Sequence, residues 1–475
     1  MLEAYLLAKG VKIPAPTSIP RVDRTGPIPQ TFAQQRIWFI EQSVPGTSMY
    51  NMPECARVRG SIDLDLLKRA VHAVVNRHEA WRTTFASLDG MPVQRVHANL
   101  APQITWETLP VSAADLETAA HARLSVLCSL PFDLVRGPLV RVHIITLAPN
   151  DHFLLLNVHH MISDGWSTSI FAEEFTTHYL ALLEGRTPSL PDPPLQYGDY
   201  AVWQKRTHTG SEFEALTARL ARTLGSDHGY ASLPLDRPRP QGADDSGDFL
   251  LFEVGRERTQ TLHALAQRHG VTLFVVLSAA FKTALLALTG HPNVALGVPL
   301  AGRNKVELER VIGLFANTAV LRTDLSDDPT FAEVLRRERA VWISAHAHQD
   351  VPFERLVERL GPVRSLSRNP LFQIMFILQN TPRPTIQLPN ATVGFIATGT
   401  RSVKFDMVLE LYENKNGLRG WIGYLSSLFQ ERTVQRLLSR FRAVLDDLPL
   451  RSDRKLSAIG ATENGGDIGD FMAPL

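Results

Sequence analysis

The chain has 475 residues, enough for two or three structural units at roughly 100–200 residues each. Its 44% apolar content suits a buried core, and a formal net charge of +1 gives no global electrostatic reason to expect nucleic acid or an anionic membrane as partner. Two cysteines, Cys55 and Cys128, are too few for a disulfide scaffold or a cysteine-rich zinc cluster.

Residues 1–9 carry a short apolar patch without a basic leader or a small-residue cleavage site, which argues against a signal peptide. Pro14, Pro16, Pro20, Pro27 and Pro29 then mark an extended leader over 1–28. Helical spacing predicts helices over 31–42 and 63–77, the second with Asp63 as N-cap. Short strands are expected over 93–96 and 103–106, and a helix over 113–129. Two strong strands follow, 139–147 and 152–159. The second is a nearly continuous apolar run, as for a strand covered on both faces. A helix starting near Ser167 runs to 183, and Pro188, Pro191, Pro193 and Pro194 then break the chain.

The second half repeats this style. Helices are predicted over 211–224, 256–269, 272–288, 329–349 and 430–448. Strands are predicted over 250–254, 294–298, 371–378 and 405–411. No internal repeat points to a solenoid or propeller. The expected division is a leader over 1–28, a first lobe over 29–190, a second over 191–450 and a flexible tail over 451–475. A ligand site between the lobes is the natural expectation. No apolar run reaches the ~18 residues that span a bilayer, so a soluble, cytoplasmic monomer is expected, with Cys55 and Cys128 as buried, inert thiols.

The chemistry concentrates in Val158-His159-His160-Met161-Ile162-Ser163-Asp164-Gly165-Trp166-Ser167. Two histidines end a buried strand, where one side chain projects into whatever cavity lies beyond. Imidazole is the side chain best suited to proton transfer near neutrality. Gly165 permits close backbone approach at a helix N-terminus, where developing negative charge is favoured. On local chemistry alone a structural or surface histidine is the commoner reading, by about two to one. A metal half-site is disfavoured, because adjacent strand residues point to opposite faces and no carboxylate spacing completes it.

His-His-x-x-x-Asp-Gly resembles the signature of the condensation domains of nonribosomal peptide synthetases, acyltransferases related in fold to chloramphenicol acetyltransferase. The resemblance extends through 33–38, 77–85, 197–204, 312–322, 348–354 and 364–373, in the family's order. Trp81 and Ala316 depart from it mildly. It implies an α/β fold of two chloramphenicol-acetyltransferase-like lobes in a V-shaped pseudo-dimer with a central tunnel. It also implies joining of a carrier-bound acyl thioester to an amine, with an L-configured donor residue suggested by the 163–167 context. By resemblance His160 is catalytic, and Gly165 sits at the mouth of the donor channel with its N–H toward the oxyanion. His159 and Asp164 are architectural, with Arg36 or Arg82 as the arginine partner of Asp164. Ser163, Trp166, Asn317 and Thr318 shape the cleft, and no metal is involved. No adenylation domain or phosphopantetheine attachment context is evident in the sequence. The substrates are therefore expected on phosphopantetheine arms of separate donor and acceptor carrier proteins, with residues 1–13 as a docking segment toward other synthetase modules. An ester-forming or free-acceptor acyltransferase, or a non-catalytic recruitment module of the same fold, are the alternatives.

Overall fold

The computed structural model describes residues 18–109, 115–225, 233–242, 244–362, 365, 367–379, 386–396, 398 and 401–459. The expected docking segment, Arg364 and most of the tail lie outside these residues.

The first lobe is built on a five-stranded sheet in the order Ala391–Ile396, Asn51–Gly60, Asp151–His159, Val140–Ala148, Gln103–Thr108, antiparallel except for its last pair. The apolar run of Asp151–His159 is explained by cover on both sides. Phe153 and Leu155 face helix Leu116–Cys128, whereas Leu156 and Val158 share a core with helices Leu64–Arg77 and Gly165–Leu183. Asp63 caps Leu64–Arg77 by accepting the N–H groups of Asp65 and Leu66, and Thr31 closes a capping box with Gln34 on Phe32–Ser43.

The second lobe carries a six-stranded sheet in the order Asn317–Asp324, Asn293–Leu300, Ile374–Gln379, Met407–Asn414, Gly417–Leu425, Gly247–Gly255. Its own core is dominated by the fully buried face of Leu273–Thr289 against Glu431–Arg451.

Three segments beyond residue 190 nevertheless belong to the first lobe's core or sheet. Helix Tyr197–Thr207 buries Tyr197 there, and the Tyr197 hydroxyl donates to the Leu314 carbonyl at 2.6 Å. Leu308, Val311, Ile312, Leu314 and Phe315 pack into the same core. Strand Ala391–Ile396 pairs with Asn51–Gly60 in continuous register from Ala391↔Gly60 to Ile396↔Cys55. The chain therefore crosses between lobes and back, which ties the halves by hydrogen bonds as well as by contact.

Cys55 and Cys128 are both buried and unpaired, and burial pushes each thiol up to about 12, which leaves them protonated. Among the described residues no single helix is long and apolar enough to cross a membrane.

Candidate active site

Strand Asp151–His159 ends beside the start of Asn51–Gly60, with Asn51 opposite His159. The His159 N–H is held by the Leu139 carbonyl at 3.0 Å and the His160 N–H by the Tyr50 carbonyl at 2.9 Å. A single 3₁₀ turn, His160–Ile162, then swings the backbone toward the following helix.

The two adjacent histidines meet different surroundings. His159 is buried. Its Nδ1 accepts the Met161 N–H at 3.2 Å, so its Nε2 carries the hydrogen and donates to Glu41 at 3.2 Å. With both nitrogens engaged and the Phe132 ring edge-on, it is an architectural group. His160 is only partly buried. Its Nδ1 lies 2.8 Å from the Ser163 carbonyl oxygen, which only accepts, so Nδ1 carries the hydrogen and Nε2 presents a lone pair. No hydrogen bond to Nε2 occurs among the described residues. The Tyr50 ring packs on this imidazole at 6.4 Å. Burial, followed by the nearby Lys404 ammonium, pushes His160 down to about 3, so the imidazole is neutral at physiological pH.

The sign of this shift predicts a pH response. Neutral His160 is favoured in the folded state, so its contribution to stability is present above the ordinary histidine value of 6.5 and is lost as pH falls from there toward 3. Burial lowers His143 to about 4 and lowers His159 and His208 in the same direction. Thermal melts between pH 7 and 4 should show a progressive fall in melting temperature. A pH-independent melting temperature across that window would contradict the buried, neutral state of these rings.

Asp164 is the N-cap of helix Gly165–Leu183, two residues ahead of the start expected at Ser167. Its Oδ1 accepts from the Ser167 N–H at 2.9 Å and the Ser167 hydroxyl at 2.8 Å. Its arginine is neither Arg36 nor Arg82. It is Arg303, from the loop after the second lobe's strand Asn293–Leu300. Arg303 Nη1 donates to Oδ2 at 2.7 Å and Nη2 to Oδ1 at 3.0 Å. The Phe315 N–H also donates to Oδ2 at 3.0 Å, and the guanidinium lies 4.3 Å from the Phe315 ring centroid. Despite burial, Arg303 holds the Asp164 carboxyl below its ordinary range, so it is an anion. The loop depends on Gly302 at φ +65°, where a Cβ would stand 2.0 Å from the Phe315 oxygen.

The two arginines expected at Asp164 do other work. Arg36 pairs with Glu354 at 3.2 Å and packs over Phe353, which links helix Phe32–Ser43 to helix Phe353–Leu360. Arg82 donates to the backbone carbonyls of His97 and Ala98.

Ser163 is fully buried and contributes its carbonyl to His160, while its hydroxyl finds no partner among the described residues. Trp166 donates to the Glu309 carbonyl at 3.0 Å, with the Arg303 guanidinium 5.7 Å from its ring. Asn317 is saturated: it donates to the Gln349 and Val351 carbonyls and accepts from the Thr318 and Phe353 N–H groups. Asn317 and Thr318 line a separate cavity of about 80 Å³ inside the second lobe.

Gly165 opens its helix with free space where a Cβ would stand. Gly165→Ala should therefore melt within about 0.5 kcal/mol of the wild type. Loss of turnover at unchanged stability in that variant would put Gly165 on the path of the substrate. A large loss of stability would contradict the open position.

The sequence motifs did not flag Arg303, which holds Asp164, or Tyr50, Glu41 and Lys404, which border the histidine pair. Lys404 belongs to the second lobe, yet its ammonium lies 5.2 Å from the Tyr50 ring centroid. It helps line an inter-lobe cavity of about 440 Å³ with Met49, Asn51 and Cys128 on one side and Asp245 and Arg401 on the other.

The family model described as the condensation domain matches residues 25–465. The chain belongs to the condensation domain family. A linear gramicidin synthase polypeptide of Brevibacillus parabrevis is 38% identical over 452 residues, covering 93% of this chain and 6% of that protein. The dimodular nonribosomal peptide synthase of Bacillus subtilis (strain 168) is 36% identical over 471 residues, covering 96% of this chain and 20% of that protein. This condensation domain thus spans a small fraction of the length of the synthetases it matches. Among solved structures, the X-domain from teicoplanin biosynthesis superposes with a TM-score of 0.86 at 27% identity, covering 93% of this chain and 99% of that one. The complex of the X-domain and OxyB from the same biosynthesis gives 0.83 at 27% identity, covering 96% and 98%. The mixed α/β, chloramphenicol-acetyltransferase-like fold expected from the sequence is the fold observed.

Proposed function

We propose that this condensation domain joins a carrier-bound acyl or aminoacyl thioester to an amine acceptor, forming an amide. The observation that carries the reading is the free Nε2 lone pair of a neutral His160, held in direction by the Nδ1–H bond to the Ser163 carbonyl.

In the proposed reaction the acceptor nitrogen attacks the thioester carbon. The C–N bond forms, the C–S bond breaks, and the proton lost from nitrogen passes through Nε2 to the departing thiolate. An α-ammonium with a pKa of about 8 loses its first proton to solvent readily, so for the resulting amine His160 acts chiefly by orientation. A hydroxyl acceptor would need a true base. The Gly165 N–H is proposed as a donor to the tetrahedral oxyanion. The substrates arrive on phosphopantetheine arms of donor and acceptor carrier proteins, which approach a central tunnel from opposite faces.

A second reading has one observation in its favour. The teicoplanin X-domain, similar over nearly the whole chain, has been solved in complex with OxyB, so a domain of this fold docks another protein. A non-catalytic recruitment module would need no free imidazole nitrogen.

Matched amine and alcohol acceptors, offered with one loaded donor carrier and followed by mass spectrometry of the carrier-bound species, test the proposal. Amide product that requires the domain supports it. Ester product alone replaces it with the ester-forming alternative. Tight partner binding without acyl transfer replaces it with recruitment.

A further inference from the structure

We infer that Lys404 is a positioning residue of the reaction centre supplied by the second lobe, its ammonium set over the Tyr50 ring that also packs on His160 and opposing protonation of that imidazole. This rests on the catalytic reading of His160 given above.

The backbone that carries Lys404 is clamped on three sides. Asn369 Nδ2 donates to the Lys404 carbonyl at 3.1 Å. The next residue, Phe405, packs on Phe372 with ring centroids 5.3 Å apart. The one after, Asp406, takes a forked pair of hydrogen bonds from Arg239, the Nη1–Oδ1 bond at 2.8 Å. By contrast, no hydrogen bond or ion pair holds the Lys404 ammonium among the described residues. It projects across the lobe boundary over the face of Tyr50, the ring that also packs on His160.

A partly buried ammonium without a counter-anion is costly and calls for a reason. Burial, and then the charge of Arg36, lowers Lys404 to about 8, which leaves it largely cationic at pH 7. The other charged or titratable groups facing His160 are His159 and Asp164 on its own segment. Tyr50 adds a phenol that burial keeps protonated. Asp164 favours protonation of His160, but it is already satisfied by Arg303 and Ser167, so Lys404 is the positive charge left to oppose it. Lys404 and His160 come from different lobes, so the charge opposing protonation of the ring is supplied across the lobe boundary.

The experiment is a pH titration of the His160 ring by nuclear magnetic resonance in the intact chain. The signal is assigned by its loss in His160→Gln, and acyl transfer is measured on the same samples. In Lys404→Met the ratio of protonated to neutral His160 at a given acidic pH should rise about tenfold. The acid limb of kcat/KM should move to higher pH, and Lys404→Arg should restore both. Lys404→Gln serves as the neutral variant if Lys404→Met does not fold. An unchanged titration in a folded neutral variant overturns the assignment whatever the transfer rate. A shifted titration with wild-type transfer in His160→Gln supports the control of His160 by Lys404 and overturns the catalytic reading instead.

Discussion

Replacing Asp164 with alanine should cost about 3–5 kcal/mol of folding stability, and replacing Arg303 with alanine should cost a comparable amount. Either change leaves a buried charge without its partner. The carboxylate also caps helix Gly165–Leu183 and takes the Phe315 N–H, so its loss frees several donors at once. Arg303 reaches Asp164 from the other half of the sequence, so the pair pins the second-lobe loop to the turn that carries His160. Loss of turnover in Asp164→Ala would then reflect a displaced turn rather than a lost proton carrier. Urea denaturation of both single variants and of the double variant tests this. The double variant should be far less destabilised than the sum of the singles, because each single already breaks the same unit. Strict additivity would mean that the two side chains do not act together.

His160→Gln should lower kcat/KM for amide formation by roughly 10²-fold and for an alcohol acceptor by up to about 10⁴-fold. The difference follows from the nucleophile. A neutral amine needs orientation, which glutamine partly supplies, whereas a hydroxyl must lose its proton as it attacks. Stability should change little, because among the described residues the imidazole makes one side-chain hydrogen bond, through Nδ1 to the Ser163 carbonyl. Replacing His159, whose two nitrogens are both committed within the core, should do the reverse and lower stability first. Paired measurements of turnover and melting temperature on the two variants check this separation.

The sequence displayed some parts of this molecule well and others poorly, for physical reasons. Asp151–His159 was visible because both of its faces are buried, which makes the run continuously apolar. Its neighbour Asn51–Gly60 was not, because Pro53, Glu54, Arg57 and Arg59 interrupt the pattern. Arg57 is compensated by Asp151, at the start of the neighbouring strand, with a bond of 2.8 Å. Strand Ala391–Ile396 has little buried surface of its own, and nothing local announces that it leaves its lobe to pair with Asn51–Gly60. The helix after the histidine pair was expected from Ser167, two residues late, because Asp164 was read as a carboxylate awaiting its arginine and not also as the cap. The partner of Asp164 was not legible, because Arg303 is 139 positions away and no local pattern links the two. Lys404 escaped for the same reason. It comes near His160 because the second lobe sets its ammonium over Tyr50, the ring that packs on His160.

The role of His160 is tested most directly by single-turnover acyl transfer from a loaded donor carrier to a saturating amine acceptor, comparing the wild-type chain with His160→Gln. The wild type should transfer its acyl group in one fast phase, and the variant, equally stable and still binding the carrier, should be slower by about two orders of magnitude. Equal rates in the two proteins would show that the imidazole beside Tyr50 takes no part in the reaction.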